Sequence, residues 1–266
     1  MKYRYATAAA ILSGAISALP VQAQQASPAP PDTTAVSVGL GVAYMPRYAG
    51  SDEHVVAALP VLTVTTPWGG FIDGVQGIGY RHRLGDTFFA SAALSYDPGR
   101  TDANEKFKPG SNQLKGMGDI KASVLVNAEL GLNLTPRVLL AAGISQPVSN
   151  RERGRTMHAR VNAIVLNMPK DKLALAGSAH FGSADYNQSF FGVTDTQAAR
   201  TRFAKYSPGS GLYALKSSLA WTHTFNANWS LLAATEVTRY MKTAADSPIV
   251  KARTSYGTMA ALNYTF

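Results

Sequence analysis

From residue 35 onward, apolar residues alternate with small or polar ones along nearly the whole chain, including its last twelve residues. Phe266, Tyr264, Leu262, Ala260, Thr258 and Tyr256 share one parity, and Thr265, Asn263, Ala261, Met259, Gly257 and Ser255 share the other. In a strand these are opposite faces. One is apolar with aromatics at both ends and the other is small or polar, which suits lipid outside and a wet lumen inside. Residues 119–134 repeat the pattern, with eight apolar residues from Ile120 to Leu134 opposite a row holding Asp119, Lys121, Asn127 and Glu129. A soluble sandwich turns its polar face outward, so this pattern is easier to place in a membrane barrel.

The same reading predicts strands over 35–44, 55–66, 71–84, 87–96, 119–134, 137–146, 156–167, 172–181, 211–226, 228–242 and 251–266, with a bulge at Asp73-Gly74. The connections near Asp86, Pro136, Lys170 and Ala227 are tight, whereas 97–118, 147–155, 182–210 and 243–250 are longer and polar. Short turns belong to the periplasm and long loops to the outside. The segments number eleven, and a single-chain bacterial barrel has an even count. One segment before residue 84 therefore needs dividing. Twelve strands is the preferred count, and a different merging of 55–84 gives ten.

The N-terminus changes the compartment. Lys2 and Arg4 precede an apolar run from Ala6 to Leu19 and a small-residue Val21-Gln22-Ala23, the layout of a signal peptide over 1–23. That run is shorter than the ~20 residues of a spanning helix. Residues 24–34 (QQASPAPPDTT) read as a periplasmic linker, and 35–266 as the barrel. Removing Lys2 and Arg4 takes two from the formal charge of +9 and leaves the chain basic. The absence of cysteine excludes disulfides, thiolate metal sites and a lipidated N-terminal cysteine.

Little in the sequence points to chemistry. His54, His82, His158, His180 and His223 have no short metal-ligand spacing, and Gly77-x-Gly79 has no helix after it to hold a phosphate. His223 shares the outward parity with Trp221 and Phe225, so it is the one candidate for lipid chemistry, and an aromatic belt explains it equally well. We expect no catalytic, metal or cofactor site. The inward parity carries Lys121, Glu129, Arg137, His158, Arg160, Lys172, His180, Lys216 and Glu236, with Arg81 and Arg83 beside them. This is either an anion-preferring pore or, favoured for a narrow barrel, a plugged lumen in which acids neutralise neighbouring bases. Arg151, Arg153 and Arg155 lie in an outer loop, where guanidinium groups suit lipopolysaccharide phosphates.

Several motifs then carry a resemblance: Tyr48-Ala-Gly-Ser-Asp52, Gly77-Ile-Gly-Tyr80, Leu114-Lys-Gly-Met-Gly-Asp119, Phe191-Gly-Val-Thr194, Tyr206-Ser-Pro-Gly-Ser-Gly211 and Asp246-Ser-Pro-Ile-Val250. In this order they resemble the MipA/OmpV family of outer-membrane proteins over residues 35–266. Tyr256, Leu262, Tyr264 and Phe266 resemble the C-terminal signal that such proteins present to the barrel assembly machinery. The resemblance implies an outer-membrane barrel, which we expect to be monomeric and non-enzymatic. It also implies a scaffold role toward a lytic murein transglycosylase and a penicillin-binding protein. A narrow channel for small solutes, anionic ones included, is the second reading and a surface adhesin the third.

Overall fold

A computed structural model describes residues 32–106 and 108–266. The signal peptide and all but the last three residues of the linker lie outside the described residues. Twelve antiparallel strands form one closed barrel: β1 (Ala35–Pro46), β2 (His54–Thr65), β3 (Gly70–Asp73), β4 (Gly77–Leu84), β5 (Phe88–Asp97), β6 (Ser123–Thr135), β7 (Val138–Pro147), β8 (Thr156–Asn167), β9 (Asp171–Gly182), β10 (Gly211–Thr224), β11 (Trp229–Tyr240) and β12 (Thr254–Thr265). Each strand pairs with its neighbours in sequence, and β12 closes onto β1 with Leu40 opposite Leu262.

Closure depends on small inward residues. A Cβ at Gly41 would sit 2.4 Å from the Ala260 carbonyl and 2.7 Å from the Ala261 methyl, so only glycine admits that approach. The parity of β12 holds throughout: Ser255, Gly257, Met259 and Ala261 are buried, while Tyr256, Thr258, Ala260, Leu262 and Phe266 are exposed. The strand is pinned at its end by the Phe266 amide donating to the Val36 carbonyl and by a Trp229, Tyr264 and Phe266 edge-to-face series.

The extra strand comes from the segment expected over 71–84. Asp73-Gly74 is a turn and not a bulge, because the Asp73 carboxylate accepts the amides of Val75 and Gln76 and folds the chain back. Gly77 follows at φ +88, where a Cβ would lie 1.9 Å from the Leu94 carbonyl. That hairpin makes β3 only four residues long.

The long-loop end is not merely polar. Helix α1 (Ala184–Phe191) and helix α2 (Asp195–Arg200) occupy the β9–β10 loop, and α3 (Lys242–Ala245) occupies the β11–β12 loop. Ser183 and Thr194 cap the first two, Thr194 in a reciprocal capping box with Gln197. No helix among the described residues is long and apolar enough to cross a membrane.

Candidate functional site

Inside the barrel, one row of paired residues runs Arg81, Ser91, Glu129, Gly143, His158 and His180 across β4 to β9. Glu129 accepts two hydrogen bonds from Arg160, at 3.0 and 2.8 Å, and its second oxygen lies 3.0 Å from His158 Nε2. Gly143 leaves the room for that ring, since a Cβ there would sit 2.5 Å from His158 Cε1. Arg81 stands between the rings of Phe71 and Phe89 and donates to Gln76 at 3.1 Å. A second pair joins Lys216 to Glu236 at 3.0 Å, with Thr238 donating to the same oxygen. Both interior acids, Glu129 and Glu236, thus have basic partners, as low dielectric requires.

The other side of the interior is apolar, which the sequence reading of a lumen filled by neutralised charges does not contain. Ala43, Met45, Ala174, Ala220, Leu232, Ala234, Met259 and Ala261 form one buried cluster, with Val55, Ala57, Leu59 and Val61 of β2 packed against it. Alternation alone does not distinguish a polar from a small apolar inward residue, and here the inward alanines and methionines meet across the narrow barrel.

Above the barrel the long loops build a cap. Tyr48, Leu114, Met117, Val193, Phe203 and Ile249 form one buried cluster drawn from four loops. Phe191, Tyr240, Ala214 and Ala244 form another, which seats α1 and α3 on the barrel rim. Polar locks tie the loops together: Tyr48 Oη donates to the Ile249 carbonyl at 3.0 Å, Ser247 Oγ to the Phe191 carbonyl and Arg100 Nη1 to the Phe190 carbonyl at 2.9 Å. Burial lowers the Arg100 guanidinium to about 10, and burial pushes the phenols of Tyr48 and Tyr186 well above their usual range.

Of the charges expected in the lumen, Glu129, His158, Arg160, Lys216 and Glu236 meet inside, and Lys172 lies half-buried on inward parity at the short-turn end of β9. Lys121 and Arg137 do not. Lys121 precedes β6, which begins at Ser123 and not at Asp119, and is exposed; Arg137 stands exposed in the tight turn between β6 and β7. Arg153 is also misplaced by the loop reading. It is 4% exposed, paired with Asp97 at 2.7 Å and stacked on Phe190, so it holds the cap and faces no lipid headgroup; Arg151 and Arg155 remain exposed.

His223 faces outward, 2.8 Å from the Asp171 carboxylate that also accepts from Trp221. Together with Phe225 this forms a polar-aromatic girdle, without a serine bonded to the histidine. Ser178 and His180 are 2.9 Å apart inside the barrel, but among the described residues no carboxylate orients the ring, the third element of a nucleophile triad. No group of histidines and acids that could hold a metal is present among the described residues.

The cap residues are what sequence reasoning missed. The available signal was an excess of apolar and aromatic residues within otherwise polar loops. Five of the six motifs behind the family resemblance converge here: Tyr48, Leu114 and Met117, Phe191 and Val193, Tyr206, and Ile249 all contribute to the two cap clusters.

Residues 38–266 match the family model described as MltA-interacting protein MipA. The chain is 26% identical over 204 residues to the outer membrane protein Omp26La of Vibrio anguillarum, covering 72% of each chain. It matches the outer membrane protein OmpV of Vibrio cholerae serotype O1 to the same extent. Among solved structures it is similar to the NanC porin, with a TM-score of 0.44 and 8% identity over 86% of this chain and 98% of that one. It is also similar to an anion-selective porin from Comamonas acidovorans, with a TM-score of 0.37 and 9% identity over 88% and 99%.

Proposed function

The chain belongs to the MltA-interacting protein family, and from that premise we propose that it is a scaffold holding a lytic murein transglycosylase at the periplasmic rim of an outer-membrane barrel. The observation that carries this reading is the double closure of the barrel. Its interior is packed by an apolar cluster and paired charges, and its outer mouth is covered by loops with cores of their own. A barrel filled at both levels is poorly suited to conduct solutes, so its value to the cell lies in the surfaces it fixes in the membrane.

In an outer-membrane barrel the short turns face the periplasm. That rim offers exposed Arg137, Lys170 and Met168 as well as Asp86, and its two bases suit acidic groups on a partner. The surface is small, so retention by the rim is weak and salt-sensitive.

The test is a pull-down of a lytic transglycosylase by the intact protein in detergent, alongside planar-bilayer recordings. The expected result is retention that falls several-fold on Arg137→Glu with Lys170→Glu, together with little conductance. A large, steady, anion-selective conductance with no enzyme retained overturns the scaffold in favour of a channel.

A further inference from the structure

The wall of the barrel is incomplete on one side. β3 pairs with β2 only through Thr63, Val64 and Thr65, and β4 pairs with β5 only as far as Leu94. Beyond the Gly74–Gln76 turn, β2 and β5 continue toward the outer end with no strand between them among the described residues, although they stand three positions apart in the sheet. Three strand spacings amount to ~14 Å, and the three residues from Ser95 to Asp97, where β5 ends, to ~10 Å of height.

The opening is framed on all four sides. At its top, Pro109-Gly110 bridges the two flanks: Thr101 donates to the Pro109 carbonyl at 2.8 Å, and Gly110 donates to the Arg47 carbonyl at 2.9 Å. Glu53 accepts from Ser111, and Asp52 accepts from Gln113, which fixes that bridge to the β1–β2 loop. At its foot, the β3–β4 hairpin is locked against β5 by the close approach of Gly77 to Leu94.

The free edge of β2 has a definite chemistry. Thr66 donates to the Gly70 carbonyl across β2 and β3, so even-numbered residues of β2 direct their backbone groups to that side. Val56, Ala58, Pro60 and Leu62 therefore face the opening with theirs. Pro60 has no N–H to leave unpaired, and proline inside a sheet belongs at such an edge. An unpaired edge at membrane depth is tolerated only where it lines an interior cavity or is covered by protein. Just inside the edge, Val55, Ala57, Leu59 and Val61 form an apolar row, while the facing β5–β6 side carries Ser95 and Asn127, 2.8 Å apart. Outside, exposed Val56, Leu62, Ile78, Leu94 and Tyr96 surround the opening, so the lipid-facing belt runs without interruption to its rim.

We propose that this opening is a lateral portal, and that one acyl chain of an outer-leaflet amphiphile lies through it along the apolar row of β2. The continuity of that row with the lipid-facing belt selects a hydrocarbon chain. The cap closes the axial route from outside, which leaves the side route as the way in. The site is a binding cleft rather than a passage, because the whole row is backed on its inner side by the packed cluster around Leu232 and Met259.

Depth-dependent quenching tests this. Trp68, Trp221 and Trp229 are replaced by Phe, and single tryptophans are introduced as Leu59→Trp facing inward, Ala58→Trp facing lipid and Ser230→Trp facing inward away from the portal. Each is inserted into phosphatidylcholine vesicles with or without dibrominated acyl chains. Leu59→Trp, like Ala58→Trp, is expected to lose at least half its emission in brominated lipid, and Ser230→Trp to keep nearly all of it. Heat-modifiable migration reports folding, and Val61→Trp substitutes if Leu59→Trp does not fold. An inward residue on β2 as bright in brominated as in ordinary lipid overturns the portal, as does equal quenching of Ser230→Trp. Efficient disulfide-linked dimers of Ala58→Cys in vesicles also overturn it, because a second copy would then cover the edge.

Discussion

The imidazole of His158 occupies the space that a side chain on Gly143 would need, and from there it reaches Glu129 across the β6–β7–β8 wall. The absence of one methyl group on β7 is what allows a three-residue charge cluster on its neighbours. Gly143→Val forces the ring away from the carboxylate. We expect a loss of about 1–3 kcal/mol, as in other overpacked interiors, read as a lower temperature of heat-modification in detergent. An unchanged transition temperature would mean that the cluster tolerates displacement of His158.

Glu129 itself is the acid on which the cluster depends. Glu129→Ala leaves Arg160 buried without its bidentate partner, and breaking a buried pair costs about 3–5 kcal/mol. Glu129→Gln keeps one acceptor and should cost less. Thermal unfolding of the two variants ranks them, and equal stability of Ala and Gln would show that the pairing contributes little.

The strands were legible in the sequence because their inward and outward residues differ in kind; on β12 every position from Ser255 to Leu262 follows the parity. Four features were not legible. β3 was hidden because Phe71–Leu84 reads as one period-two run across a turn, and only the Asp73 carboxylate turns the chain. Lys121, Arg137 and Arg153 were misread because parity says which way a residue points within a strand and nothing of where the strand stops or how a loop folds back. The apolar half of the lumen was missed because alanine is ambiguous between the two faces. The cap was missed because its core is assembled from residues more than 200 positions apart, such as Tyr48 and Ile249.

Arg100 donates into the cap from beneath, to the last turn of α1. Arg100→Ala removes that tie and leaves the Phe190 carbonyl unpaired, at a cost of about 1–3 kcal/mol to cap closure. Planar-bilayer recordings should show more frequent brief openings than in the parent protein. Cleavage by an added protease within 183–210 should also speed up. Identical recordings and cleavage rates would place the seal elsewhere.

Alkaline pH should loosen the cap. Tyr48 and Tyr186 have phenols raised by burial, so below pH 10 they are neutral folded or unfolded, and above it the unfolded loops ionise first and the folded cap loses stability. Arg100 acts in the opposite sense, because its guanidinium, lowered to about 10, binds fewer protons folded than unfolded as pH rises further. Two tyrosines outweigh one arginine. Proteolysis within 183–210 should accelerate between pH 10 and 12 while strand circular dichroism holds, and Tyr48→Phe should blunt the acceleration.

Phe266 completes an aromatic series with Tyr264 and Trp229, and its amide fastens the end of β12 to β1. Deleting it should reduce the inserted, heat-modifiable fraction several-fold, and more than Thr265→Ala does. Equal insertion of the two variants would remove Phe266 from any role in assembly.

The hydrogen bonds from the amides of Lys251 and Ala252 to the carbonyl of Gly50 join the last long loop to the first, and Tyr48 repeats the link at Ile249. Contacts of such sequence separation form late, after the intervening chain is in place. The cap therefore cannot mature hairpin by hairpin as the strands enter the membrane. It must wait until β12 meets β1, and its completion at the cell surface marks the moment at which the barrel has closed.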